Sequence, residues 1–388
     1  MSKICIISTV SITLKTFVLP TALRLAKAGH EVTLVCSDDK ELADMLPNDI
    51  CYCPVHMERG VSASSFMSLL RLYSLFVSKR FDLIQYATPN ASLYSSIAGR
   101  LARVPVRLYC QWGIRYVCME GLSRRIFRFF EKITCKNSTD IWAASRGNMQ
   151  FAISELMYEP EKAFVIGEGG TSGVDLEAYD ISMKQIWRQK VRANLSIPEN
   201  AFVFGYSGRV CADKGCSELI SAFRETLRSF GNAYLLLIGP FEESNGDFGE
   251  LLNWASSCSN VVVTGCVPNL QMKEYYSAMD VLVHPTYREG FGMVIQEAGA
   301  MGVPSITTRV LGASEVMVEG MSCRLVDPRD AASLQVAMEE MIANKIMSIE
   351  YGNAARERVV RCFSQSTMIE KQIERYSLLL GGVDRRYE

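Results

Sequence analysis

Short β-branched runs alternate with helix-length amphipathic segments almost from end to end, and the alternation is interrupted once. Residues 4–7, 32–36, 50–55, 83–86, 107–110, 141–144 and 163–166 read as strands in the first half. Residues 202–206, 234–238, 261–264, 281–284, 305–307 and 324–326 read as strands in the second. Between them lie segments such as 19–28, whose apolar residues recur at helical spacing. A strand followed by a helix re-enters the sheet from the same end, so its neighbours are parallel, and parallel strands covered by helices make a doubly wound sheet. The break comes at Gly167, Gly169, Gly170 and Gly173, followed by a short turn around Pro198. Two doubly wound α/β domains are therefore expected, 1–185 and 186–363, with a last helix in the tail 364–388.

The 388 residues suit two or three domains at about 150 residues each. With 41 Lys+Arg against 42 Asp+Glu, the chain lacks the excess cations of a nucleic-acid grip, and no nucleic-acid partner is expected. No run reaches the roughly 18 to 20 apolar residues of a membrane span. The nearest, 66–77, is interrupted by Arg71. The N-terminus reads as a first strand, so membrane attachment would be peripheral. Thirteen cysteines include no C-x-x-C pair, and Cys5, Cys36, Cys110 and Cys266 sit in apolar runs, which points to buried free thiols in a reducing compartment. His30, His56 and His284 are scattered, and no metal site is expected.

Open parallel sheets bind ligands at the carboxyl ends of their strands, so the loops leaving strands carry the chemistry. After 202–206 come Ser207, Gly208, Arg209, Val210, Cys211, Ala212, Asp213, Lys214 and Gly215, then a helix. Two cations on a strand-to-helix loop suit a diphosphate, with Gly208 and Gly215 permitting close backbone approach. A solvated loop with two ordinary basic residues is the competing reading. After 281–284, Glu289 precedes Gly290, Phe291 and Gly292, and a helix over about 293–301 carries Glu297. Two carboxylates around a glycine-flanked helix start can accept from sugar hydroxyls. Helix capping by Glu289 and a solvated face for Glu297 compete with that.

Glu289 and Glu297, followed by Ala298, Gly299, Ala300, Met301, Gly302, Val303 and Pro304, resemble the E-x7-E signature of retaining glycosyltransferases of family 4. Gly208–Arg209 with Lys214–Gly215, Gly173–Val174–Asp175 and Leu325–Val326–Asp327–Pro328 match that family in order. The resemblance implies the GT-B fold, two Rossmann-like domains facing across a cleft, with the last helix crossing back to the first domain. It implies a retaining, metal-independent transfer of a hexosyl or N-acetylhexosaminyl group from a nucleotide-diphosphate sugar, uridine being the family's usual base. No cofactor is implied beyond that co-substrate, and no D-x-D pair occurs in the chain. Arg209 and Lys214, beside Gly208, would neutralise the leaving diphosphate, and Glu289 would bind donor sugar hydroxyls. The backbone N–H groups around Gly290, Phe291, Gly292, Met293 and Val294 would meet sugar or phosphate oxygens. Glu297 would take the ribose hydroxyls, and the backbone near Val267 would read the base.

The first half departs from the family pattern. Ser8 and Thr9 stand where many members have a Gly-Gly loop, and Gln111, before Trp112 and Gly113, stands where many have a histidine. Ser8, Thr9, Gln111 and Gly113 are the expected site residues of this half, with Gln111 as a substitute hydrogen-bonding group. Between Arg100 and Lys136 nine cations face two acids, Glu120 and Glu131. On a helix expected over 122–134, Arg125, Arg128 and Lys132 share one face and Ile126, Phe129, Phe130 and Ile133 another. That helix either packs its apolar face into the core or lies on an anionic membrane surface. Family members that act on polyprenyl-diphosphate-linked sugars suggest a lipid-linked glycan acceptor for cell-surface polysaccharide synthesis, at the inner face of the cytoplasmic membrane. A nucleotide-sugar epimerase, or a non-catalytic nucleotide-sugar-binding protein of the same fold, is the alternative.

Overall fold

A computed structural model of the chain describes residues 1–57, 63–242 and 246–384. It divides into two compact units, Met1–Ser172 with the stretch from Ser366 onward, and Gly173–Gln365.

The first unit is built on β1 (Lys3–Ile7), β2 (Glu31–Val35), β3 (Ile50–Tyr52), β4 (Leu83–Tyr86), β5 (Val106–Gln111), β6 (Asp140–Ala143) and β7 (Ala163–Phe164). All pair in parallel, in the order β3-β2-β1-β4-β5-β6-β7. The unbroken apolar run of β1 follows from burial on both faces. Cys5 and Ile7 enter one core with Ile84, Tyr86, Leu72 and Phe76, whereas Ile4 and Ile6 enter another with Leu25, Leu34 and Tyr376. The expected strand 50–55 is shorter because Pro54 has no N–H to give, although Cys53 and Val55 still donate to the Leu34 and Cys36 carbonyls. The last helix, Gln365–Asp384, seats Met368, Tyr376 and Leu380 in the cores of this unit. Gln372 within it accepts from the Thr21 hydroxyl at 2.7 Å and donates to the Thr171 carbonyl at 2.6 Å.

The basic helix runs Gly121–Asn137 and splits its apolar face, with Phe130 and Ile133 half-buried. Ile126 and Phe129 are 44% and 61% exposed and Leu122 is 71% exposed, while Thr134 and Cys135 are the buried residues. The cations Arg124 and Arg128 turn instead to Glu155, at 3.0 and 2.7 Å. Among the described residues no helix is long and apolar enough to cross a membrane. All thirteen cysteines are free, and most are buried. Cys266 is exposed against expectation, because it lies in the loop past its strand and not in it.

The second unit carries β8 (Phe202–Ser207), β9 (Ala233–Ile238), β10 (Val261–Gly265), β11 (Val281–His284), β12 (Ser305–Thr308) and β13 (Cys323–Val326). Their order is β10-β9-β8-β11-β12-β13, again all parallel. Phe202, Phe204 and Tyr206 alternate into one core with Leu219 and Phe223 of the helix Cys216–Ser229. Strand order reverses between β8 and β11, so connections leave these two neighbours toward opposite faces and their carboxyl ends open a crevice. The loops after β8 and β11 are the two that the sequence singles out.

Candidate functional site

The loop after β8 is held from within. The buried Tyr206 phenol donates to the Arg209 carbonyl at 2.6 Å, and the Cys211 thiol to Asp213 Oδ1 at 2.8 Å. A single turn, Ala212–Lys214, ends at Gly215, whose φ of +72° starts the helix Cys216–Ser229. A Cβ on Gly215 would lie 2.0 Å from the Pro285 carbonyl oxygen, so only glycine lets this loop close onto the loop after β11. A third loop joins them at Gly312 (φ +81°), where a Cβ would meet the Gly290 oxygen at 2.3 Å.

This packing delivers Lys214 to Glu289. Lys214 Nζ lies 3.0 Å from Glu289 Oε2, and His284 Nε2 lies 3.1 Å from the same oxygen. A carboxylate only accepts, so the proton of His284 sits on Nε2. Glu289 Oε1 takes the Gly290 N–H at 3.2 Å. Burial pushes the Glu289 carboxyl up, but the His284 hydrogen bond and the Lys214 charge outweigh it and hold the group well below the usual carboxylate range. Glu289 is a fixed negative charge.

Glu297 stands one turn into the helix Met293–Ala300 and is tuned the other way. Tyr276, in the helix Met272–Ala278, donates to Glu297 Oε2 at 2.7 Å. Burial pushes the carboxyl up to about 7, with the Tyr276 bond pulling weakly against it. Two glutamates eight residues apart thus differ in charge preference because one is held by Lys214, His284 and the Gly290 N–H and the other by a phenol. Arg209 is half exposed and pairs with Glu242 and, at 3.5 Å, with Asp213. The two cations expected to share one anion therefore lie on one loop but rest on different carboxylates. An exposed pair such as Arg209–Glu242 is worth about 1 kcal/mol or less, so it holds Arg209 only weakly.

Phe291 is buried, its ring edge-on to Phe363 at 5.4 Å, which leaves its role to its backbone. Gly292 (φ +52°) opens the helix, with Met293 and Val294 half-buried in its first turn. Gly208 follows β8 and is half-buried, as is Val267, two residues past β10. His284, Tyr276 and Glu242 are the partners that sequence reading missed. His284 carries one signal, its place as the last residue of a strand five before Glu289. Tyr276 carries none.

In the first unit the expected residues lie at the carboxyl edge of its sheet. Ser8 and Gln111 are closed to solvent and Thr9 nearly so, whereas Gly113 is exposed. Thr9 Oγ1 lies 2.7 Å from Thr88 Oγ1, linking the loops after β1 and β4. Gln111 donates to Glu131 Oε1 at 2.6 Å and accepts from the Tyr158 phenol at 2.8 Å. Tyr109 also donates to Glu131, whose carboxyl burial pushes up. Gln111 is thus part of a buried network that ties the helix Gly121–Asn137 to β5.

Two family models match the chain, "Glycosyl transferase 4-like" over residues 3–145 and "Glycosyl transferases group 1" over 188–358. CapM, a capsular polysaccharide biosynthesis glycosyltransferase of Staphylococcus aureus, is 31% identical over 358 residues, 92% of each chain. An Escherichia coli UDP-Gal:α-D-GlcNAc-diphosphoundecaprenol α-1,3-galactosyltransferase is 23% identical over 89% of each. Among solved structures, sucrose-phosphate synthase of Thermosynechococcus elongatus superposes with a TM-score of 0.80 at 20% identity, over 98% of this chain and 100% of that one. The Anabaena protein HepE, crystallised with UDP and glucose, superposes with a TM-score of 0.77 at 19% identity, over 97% and 100%. These matches favour a transferase over the epimerase or silent-binder alternative. With both halves matched and a relative at 31% identity across nearly its whole length, the chain belongs to the group 1, 4-like glycosyltransferases, enzymes of the GT-B fold.

Proposed function

We propose that the enzyme transfers a hexosyl or N-acetylhexosaminyl group from a UDP-sugar to a lipid-linked glycan acceptor in cell-surface polysaccharide synthesis, with retention at the anomeric carbon and without a metal ion. The observation that carries this reading is the Lys214–Glu289–His284 cluster beside Arg209 at the crevice between β8 and β11. Arg209 and Lys214 neutralise the departing diphosphate. Glu289, held ionised, accepts from sugar hydroxyls and faces positive charge developing on the ring, while Glu297 accepts from the ribose. The acceptor oxygen bonds to the anomeric carbon, the bond from that carbon to the diphosphate breaks, and the acceptor proton leaves with the phosphate oxygen. The names of CapM and of the Escherichia coli galactosyltransferase support the acceptor class, and the UDP bound by HepE supports the base.

Leu122, Ile126 and Phe129, with Arg125 and Lys132 exposed beside them, would bring the first unit to the inner face of the membrane. Transfer is tested with a panel of UDP- and GDP-sugars and polyprenyl-diphosphate-linked acceptors, following nucleoside diphosphate release and the anomeric configuration of the product by NMR. Release from a UDP-sugar that falls at least a hundredfold in Arg209→Ala supports the reading. No release across the panel, an inverted product, or a requirement for divalent cation refutes the corresponding part. Co-sedimentation with phosphatidylglycerol vesicles, lost in the Ile126→Ser/Phe129→Ser variant, tests the membrane contact, and no binding by the parent protein rejects it.

A further inference from the structure

We propose that Tyr276 is a positioning residue for donor binding, acting through Glu297 by fixing one carboxylate oxygen and leaving the other for the ligand. The inference rests on the reading above that Glu297 meets the donor.

Tyr276 is completely buried, and a buried phenol must place its proton. Its hydroxyl lies 2.7 Å from Glu297 Oε2 and 3.4 Å from Ser207 Oγ, at the end of β8. The first distance is that of a charge-assisted bond and the second is slack, so the proton goes to Glu297. Among the described residues no hydrogen bond reaches Glu297 Oε1, and no cation pairs with the carboxylate. The residue is half-buried. The other titratable group facing it is the Tyr179 phenol, whose ring lies 6.4 Å from that of Tyr276 and whose proton burial and Glu297 together hold in place. Glu289, by contrast, is held by Lys214, His284 and its own neighbour's N–H. One hydroxyl therefore decides where Glu297 points, while Glu289 has three anchors.

Tyr276→Phe removes that hydroxyl and keeps the ring. The test is a double-mutant cycle on UDP binding to the full chain by calorimetry, with Tyr276→Phe, Glu297→Ala and the double variant, and with Ser207→Ala as a control. Expected results are binding about tenfold weaker in Tyr276→Phe, no further loss when it is added to Glu297→Ala, and no change in Ser207→Ala. In turnover, Tyr276→Phe should raise KM for the donor about tenfold and leave kcat within about twofold. Wild-type affinity in Tyr276→Phe, or a loss that adds fully to that of Glu297→Ala, overturns the proposal and leaves the role of Glu297 intact. Wild-type affinity in Glu297→Ala instead overturns that role, and this proposal with it. If Tyr276→Phe does not fold, the ζ-carbon NMR signal of tyrosine that moves in Glu297→Gln reports the same bond. Its shift on adding UDP to the wild type is expected, and its constancy overturns the proposal.

Discussion

Replacing Lys214 by methionine keeps most of the side-chain volume and removes one charge, so it isolates what the ammonium does. The pair it breaks spans 3.0 Å, with about one-fifth of each side chain exposed. At that distance and an effective dielectric near 20, the gross attraction is about 5 kcal/mol. Desolvation of both groups cancels much of this, and His284 remains on the same oxygen at 3.1 Å, so the net loss of stability is about 2 kcal/mol. Catalysis should suffer more. A fixed cation aimed at the leaving group is worth a hundredfold to a thousandfold in kcat, about 3–4 kcal/mol. The assay is steady-state release of nucleoside diphosphate beside calorimetric Tm. The Glu289 carboxyl is held low in the fold, so its contribution to stability is present above its ordinary value near 4.5 and is lost as pH falls further. Lys214→Met should accordingly lose less Tm than the wild type on acidification from pH 6 to 4. Adding Glu289→Gln should recover stability, since it removes the charge left without its ammonium, yet should not recover kcat. A kcat within about threefold of wild type in Lys214→Met, or one restored by Glu289→Gln, refutes a phosphate role and leaves Lys214 as a structural partner of Glu289.

Glu297→Gln should raise stability at pH 8 by at most about 3 kcal/mol and leave it nearly unchanged at pH 5. The fold holds the Glu297 carboxyl up to about 7 against an ordinary 4.5, so stability present below 4.5 is lost as pH rises through 7. Equal Tm shifts at both pH values would contradict this. Gly215→Ala should cost several kcal/mol and abolish donor binding together, since its Cβ meets the Pro285 oxygen at 2.0 Å in a left-handed turn. Tm and UDP calorimetry check it, and a variant with wild-type values in both would show that the two loops are not locked as described.

The strands were most legible where both faces are buried, as in β1 and β9, because such a strand reads as an apolar run between turns. Strand ends were less legible where the chain leaves a sheet edge, as at Pro54, because the edge strand answers to one neighbour only. Arg209, Lys214 and Glu289 were visible as residue types on loops that must follow strands, and Glu297 on the helix that leaves the second of those loops. Their partners were not, because Tyr276 and Glu242 reach the site from separate crossovers, and nothing in local spacing announces such a meeting. Gln111 shows the reverse. Its position at the end of β5 suggested a hydrogen-bonding group for the donor, but Glu131 and Tyr158, 20 and 47 residues away, occupy its amide. The helix Gly121–Asn137 misled for a related reason. Its apolar residues spread around more of the helix than one core can cover, so Phe127 turns inward and Phe129 outward.

The contrast between the two glutamates bears directly on the proposed chemistry. A group that faces a sugar ring becoming cationic must be charged before the reaction begins, and its charge must not depend on small changes of pH. Lys214 and His284 provide that for Glu289 by making protonation expensive. But a carboxylate paired to a lysine is also partly neutralised, and the pairing helps only if the ammonium has a second duty that grows during the reaction. The departing diphosphate provides one: as negative charge builds on it, Lys214 is drawn toward phosphate, and Glu289 is left more negative beside the ring at the moment the ring needs it. Glu297 has no such partner, and on this reading it touches only neutral hydroxyls whose charge never changes. Its weak hold on its own charge is then harmless to the chemical step, and its protonation should appear in KM for the donor and not in kcat.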